Sequence, residues 1–282
     1  MKVVRSFFIL ILTMIAENMC IAGDTLTIKL WPEGAPHKNG LENIAPTGDN
    51  SFLTGTNEAV LTVYLSEEPS GKALIMCPGG GYAGVALNHE GHDFAEFFSA
   101  QGINYAVLQY RMPNGNKEVP QEDVTEALRI MREIMPAGTK IGIGGASAGG
   151  HLVATLATCC SDQTARPDFQ VLLYPVISMM PERTHKGSHD NLLGKNASTD
   201  DNRKMSHHLN VNSSTPPAFI VLSADDKSVS PHNSLDYFGA LVDAGIPATL
   251  HVYPTGGHGW GSRDTGFREL WEEELKVWLK NL

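Results

Sequence analysis

Lys140-Ile141-Gly142-Ile143-Gly144 runs without a break into Gly145-Ala146-Ser147-Ala148-Gly149, and from there into Gly150-His151-Leu152-Val153-Ala154-Thr155-Leu156. The first five residues read as a short buried strand, and the last seven open a helix that the pattern carries from His151 to Cys160. Between them lies G-x-S-x-G. The pattern alone is weak, because Gly, Ala and Ser are common residues. A strand before it and a helix after it make it informative, because that corner lifts a serine hydroxyl above the end of a sheet. Small residues two before and two after the serine leave room for so sharp a turn. The backbone N–H of Ala148 then falls in the first turn of the helix, where the dipole favours negative charge.

Outward from this corner, short and continuously apolar runs recur. Ala59–Leu65, Ala73–Cys77, Asn104–Tyr110, Lys140–Gly144, Phe169–Tyr174, Ala218–Ser223 and Ala248–Tyr253 read as strands covered on both faces. Helical patterns separate them: Phe94, Phe97 and Phe98; Gln121–Met135, with Val124, Leu128, Met131 and Met135 on one stripe; His232–Ala244; and Phe267–Leu282. Strands alternating with helices predict an α/β fold, a mostly parallel central sheet with helices on both faces. Residues 24–58 read as an irregular lead-in. Residues 175–217, rich in Ser, His, Asn and Asp, read as a loop-rich lid. No linker divides the rest, so residues 24–282 are expected to form one domain.

A serine hydroxyl needs a base, and the base needs an orienting partner. In a strand–serine–helix arrangement the chain order is Ser, then Asp or Glu, then His. Asp225-Asp226-Lys227-Ser228-Val229 follows the strand Ala218–Ser223, and Gly256-Gly257-His258-Gly259-Trp260 follows the strand Ala248–Tyr253. Both lie just past carboxyl ends of strands, where sites form in open α/β sheets. His258 is the candidate base. Asp226 is preferred to Asp225 as its partner, and Asp225 remains open. Cys77-Pro78-Gly79-Gly80-Gly81-Tyr82 follows another strand. Its glycines let backbone N–H groups approach a substrate oxygen, so Gly80, Gly81 and Ala148 are candidate oxyanion donors. Tyr82 and Trp260, beside these loops, are candidate substrate contacts.

Composition narrows the partners. The 282 residues carry 21 Lys+Arg against 31 Asp+Glu, a net charge of −10, and no basic block, which disfavours nucleic acid. Lys2 and Arg5 precede the apolar run Phe7–Ala16, too short to span a bilayer and of signal-peptide form. Residues 1–23 are therefore expected to be a leader, and the protein to be exported, to the periplasm or beyond the cell. Cys20 also raises lipid anchoring, but Glu17-Asn18-Met19 is unlike a lipobox. Cys20, Cys77, Cys159 and Cys160 have no disulfide spacing and read as buried small residues. His185, His189, His207 and His208 cluster in the lid without HExxH or Cys pairs, so no metal and no cofactor is expected.

Further stretches carry a family resemblance over nearly all of the chain after the leader. Leu30-Trp31-Pro32-Glu33-Gly34-Ala35-Pro36, Pro78-Gly79-Gly80-Gly81-Tyr82, Glu90-Gly91, Tyr110-Arg111, Gly145–Leu152, Asn191-Leu192-Leu193-Gly194 and Gly256-Gly257-His258-Gly259 occur in order. The sequence resembles the α/β-hydrolases, and among them the secreted bacterial esterases related to acetylxylan and feruloyl esterases, the xylanase-B-like group. The resemblance implies a triad of Ser147, Asp226 and His258, an oxyanion hole from Gly79–Gly81, and acylated plant polysaccharide such as xylan as substrate. Val229-Ser230-Pro231 departs from the Val-Pro of relatives. The readings that compete are a general short-chain carboxylesterase, a serine peptidase of the prolyl-oligopeptidase type and a non-catalytic binding module. Acyl group, sugar backbone and oligomeric state are not legible at this level.

Overall fold

The computed structural model describes residues 19–22, 25–159 and 165–282. The leader reading falls mainly on residues outside these. Of it, only Met19–Ala22 is described, as the edge strand β1 paired antiparallel with β2, Thr25–Lys29.

The remaining strands are β3 Thr47–Asp49, β4 Phe52–Thr54, β5 Val60–Tyr64, β6 Lys72–Cys77, β7 Gly84–Val85, β8 Ile103–Gln109, β9 Lys140–Ala146, β10 Gln170–Leu173, β11 Ala218–Ser223 and β12 Ala248–Tyr253. The helices are α1 Ala95–Ser99, α2 Glu118–Ile134, α3 Ser147–Cys159, α4 Lys186–Leu193, α5 Thr199–Lys204, α6 His232–Asp243 and α7 Arg268–Lys280. Nine strands form one sheet in the order β1-β2-β5-β8-β6-β9-β10-β11-β12, while β3, β4 and β7 make a small antiparallel sheet. From β8 to β12 every pairing is parallel; β1, β2 and β5 join antiparallel.

Residues 73–77 of β6 and all of β10 and β11 are buried, as continuous apolar runs require. The chain steps outward from β6 to β8 and then back past β6 to β9. Right-handed crossovers therefore put α1 on one face and α2 on the other. With α1 lies α7: Trp271 meets Phe94 edge-on at 6.1 Å, and Phe98 stacks on Tyr105 of β8 at 4.8 Å.

This reversal places the loops after β6 and β9 side by side, since Cys77 pairs with Gly145. Ser223 likewise pairs with Tyr253, so the loops after β11 and β12 emerge together. The crevice between such loops is where open α/β sheets hold their sites.

Several expectations need correction. The lead-in is not irregular: β2 to β4 lie within it, and β2 and β5 extend the sheet antiparallel. Trp31 of that segment donates to Asp123 at 2.6 Å, and the Arg111 guanidinium, pinned on the same carboxylate, reaches the carbonyl of His37 at 2.7 Å. The segment is thus hydrogen-bonded to a buried ion pair, Arg111 with Asp123 of α2. The lid carries helices α4 and α5, the second capped by Ser198, whose hydroxyl accepts from the Asp201 N–H. Cys77 is buried as expected, but Cys159 is exposed at the end of α3. Helix α3 begins at Ser147 itself, four residues earlier than its apolar pattern.

Candidate active site

Ser147 takes φ +51°, a left-handed conformation for a non-glycine residue held at the strand-to-helix corner. The corner closes because its neighbours are bare. A Cβ on Gly149 would stand 2.0 Å from the carbonyl oxygen of Cys77, and one on Gly145 2.4 Å from that of Gly149. No side chain fits at either position. Ser147 is 6% exposed, its hydroxyl turned toward His258.

The imidazole of His258 stands between two oxygens. Its Nε2 is 2.8 Å from Ser147 Oγ and its Nδ1 2.6 Å from Asp226 Oδ2. A carboxylate at Nδ1 fixes the proton there and leaves Nε2 as acceptor for the hydroxyl. The Asp226 carboxylate is itself held: Oδ1 accepts the N–H groups of Ser228 and Val229, both at 2.9 Å. The Val229-Ser230-Pro231 departure leaves these bonds intact. Asp225 points elsewhere and accepts the N–H of Gly257 at 2.8 Å, fastening the loop that carries His258. The two adjacent aspartates thus divide the work, and only Asp226 meets the imidazole.

The glycine loop after β6 abuts the serine. A Cβ on Gly79 would lie 2.8 Å from Ser147 Cβ. The N–H of Gly79 is already committed to Glu90 Oε2 at 2.7 Å, whereas among the described residues those of Gly80 and Gly81 donate to no protein group. Gly80 takes φ +140°, a conformation open to glycine alone at low cost. The carbonyl of Gly81 is anchored by Asn191 Nδ2 of α4 at 2.9 Å, so this lid helix helps set the loop.

Glu90, which the sequence reading placed only in the family resemblance, is a buried carboxylate that links the loops of the site. It is 3% exposed, and its second oxygen accepts the hydroxyl of Tyr174 at 2.7 Å. That same hydroxyl accepts the N–H of Gly261 at 2.7 Å, and the Tyr174 ring lies against His258, centroids 4.9 Å apart. One buried carboxylate therefore ties the glycine loop, the end of β10 and the His258 loop. Its sequence signal was the Glu90-Gly91 pair within the family resemblance, flanked by polar Asn88, His89, His92 and Asp93.

The two candidate substrate contacts are corrected. Tyr82 is 2% exposed and its hydroxyl is engaged by Nδ1 of His151 at 2.9 Å. Trp260 is 5% exposed, donates to Ser223 Oγ at 3.1 Å and packs on Tyr174. Both rings brace loops from behind and offer no surface to a substrate. The lid histidines also separate. His207 is buried against Thr155 and Thr158 of α3, and His189 bridges Asp190 and Asn202. Among the described residues no group of three or more His, Cys, Asp or Glu side chains is placed to hold a metal, and no helix is long and apolar enough to cross a membrane.

Residues 108–282, which include Ser147, Asp226 and His258, match the model of the prolyl oligopeptidase family. The chain belongs to this family. It is 37% identical over 82% of its length to the acetylxylan esterase of Xylanibacter ruminicola, and 32% identical over 75% to endo-1,4-beta-xylanase B of Butyrivibrio fibrisolvens. It covers 50% and 36% of those two proteins, so it spans half or less of the length of the curated relatives it matches. Among solved structures, an acetyl ester-xyloside bifunctional hydrolase from Caldicellulosiruptor lactoaceticus superposes with a TM-score of 0.75 at 32% identity, covering 90% of this chain and 95% of that one. A sugar hydrolase from Lactococcus lactis superposes at 0.66 with 26% identity, over 84% and 97%. The fold is that of the α/β-hydrolases.

Proposed function

We propose that this chain is a serine ester hydrolase of the carboxylic ester class that removes acetyl groups from acylated carbohydrate such as xylan. The observation that carries the reading is the unbroken relay from Ser147 Oγ through His258 to Asp226, with contacts of 2.8 and 2.6 Å. Similarity to an acetylxylan esterase and to an acetyl ester-xyloside hydrolase supports the acetyl and carbohydrate parts.

In this reading Ser147 Oγ bonds to the ester carbonyl carbon while its proton passes to His258 Nε2. The carbonyl oxygen gains the negative charge and is met by the free N–H groups of Gly80 and Gly81 and by that of Ala148. Collapse of the tetrahedral intermediate breaks the carbon–alkoxy bond, and His258 returns its proton to the leaving alcohol. Water attacks the acyl-enzyme by the same route and frees acetate and the serine. Asp226 stays ionised, orienting the imidazole and stabilising its cationic form. These steps require no metal or cofactor.

We assign residues 24–282 to the catalytic unit and residues 1–23 to a leader for export, whose removal takes away, among the described residues, only the edge strand β1 and leaves β2 at the sheet edge. The family's description points to peptides as the competing substrate class. Parallel assays on p-nitrophenyl acetate, acetylated xylan, a feruloylated xylan and a peptide amide separate the readings. Acetate release from xylan with no amide cleavage supports the proposal; turnover of the amide alone overturns it.

A further inference from the structure

His185 closes the site from the lid side, and nothing in the relay uses it. A Cβ placed on Gly81 would stand 3.7 Å from its Cε1, so the imidazole lies over the glycine loop. It also stands within electrostatic reach of His258 and Asp226. An ester whose carbonyl oxygen rests on Gly80 and Gly81 and whose alcohol part extends to the lid side meets this ring. The ring is fixed in place. As the N-cap of α4, His185 accepts the N–H of Ser188 on Nδ1 at 3.2 Å, with Ser188 Oγ 2.9 Å from the same nitrogen. The proton of the neutral ring therefore resides on Nε2. Among the described residues this Nε2–H has no partner, and the side chain is only half-buried. Partial burial and the neighbouring His258 push its pKa down, so the ring stays neutral at pH 7.

We propose that His185 is a specificity-determining residue whose Nε2–H donates to a hydroxyl next to the esterified position of a neutral carbohydrate. The inference rests on the ester-hydrolase reading and adds to it the means by which a polyol alcohol is preferred over a simple one. A neutral single donor suits an uncharged sugar.

The test compares His185→Asn and His185→Ala in the full chain. Asn is a good N-cap and keeps a partner for the Ser188 N–H, but is too short to carry the donor outward; Ala loses both. The readout is kcat/KM on methyl mono-O-acetyl-β-xylopyranoside divided by kcat/KM on p-nitrophenyl acetate, which has no neighbouring hydroxyl. An unmade hydrogen bond predicts that this ratio falls about tenfold or more in both variants, mainly through KM on the sugar. A dideoxy analogue of the xyloside, lacking the free hydroxyls, should show no such drop. An unchanged ratio, or one restored by Asn but not by Ala, overturns the proposal and leaves a cap alone. Failure of the parent protein to turn over p-nitrophenyl acetate sinks the ester-hydrolase reading itself, and this inference with it.

Discussion

Replacing Glu90 with Gln tests whether one carboxylate organises both halves of the site. Glu90 accepts from the Gly79 N–H and from the Tyr174 hydroxyl, each at 2.7 Å, and lies fully inside the protein. Gln has a single acceptor oxygen. If that oxygen faces Gly79, its amide faces a phenol that must turn its own proton away while still accepting from Gly261. If the oxygen faces the phenol, amide and Gly79 N–H meet donor to donor. Either way one hydrogen bond to a charged group is lost, at a cost of about 1.5–3 kcal/mol. Urea unfolding should show this loss of stability. The catalytic consequence follows from position, because Gly79 fixes the direction of the Gly80 and Gly81 N–H groups. Losing a whole oxyanion donor costs about 10²–10³ in kcat, so a donor displaced rather than deleted predicts about tenfold or more. These donors act on the transition state, so KM for p-nitrophenyl acetate should scarcely move. Parental stability and parental kcat in the Gln variant would refute the idea that Glu90 holds the loop; lost stability with intact kcat would leave it a packing residue.

Further outcomes are expected. Asp226→Asn should lower kcat about 10⁴-fold by favouring the wrong imidazole tautomer, whereas Asp225→Asn should cost far less because Asp225 meets only the Gly257 N–H; steady-state kinetics on p-nitrophenyl acetate read both. Gly149→Ala should abolish activity or soluble expression, because its Cβ meets the Cys77 carbonyl at 2.0 Å where backbone cannot yield cheaply; circular dichroism separates the two outcomes. Acid should destabilise the core beneath the serine helix. Burial lowers the pKa of His151 to about 4 from 6.5 although the Met205 carbonyl, 2.9 Å from Nε2, favours the cation, and the added proton falls on Nδ1, which accepts the Tyr82 hydroxyl at 2.9 Å. A folded pKa below the unfolded one means the contribution is whole above pH 6.5 and lost as pH falls toward 4. The loss reaches about 3 kcal/mol by linkage, and denaturant unfolding from pH 7 to pH 4 measures it. Stability unchanged across that range would contradict it.

The serine corner and the two loops that face it were legible because each depends on local chemistry. Gly145 and Gly149 are where the turn admits no Cβ, and Asp226 and His258 follow apolar runs that became β11 and β12 with the boundaries read from sequence. The choice between Asp225 and Asp226 was not local. It is decided by which carboxylate faces a loop 32 residues further on. The tie between Glu90 and Tyr174 was not legible because it spans 84 residues and no spacing rule connects them. Tyr82 and Trp260 were misplaced for a related reason: an aromatic beside a site has the same sequence whether its ring faces substrate or core. Helix α4 was missed because His185 is an uncommon cap and its segment has no apolar stripe, although Ser198 before Asp201 did carry a capping signal for α5.

The most direct measurement is covalent trapping. A fluorophosphonate phosphonylates only a serine whose base and oxyanion donors are assembled around it. Intact mass and peptide mapping should find one adduct, on Ser147, absent in Ser147→Ala and strongly slowed when His258 is replaced. An intact, folded protein that takes up no reagent, or takes it up at another residue, would contradict the assignment of Ser147 as the nucleophile.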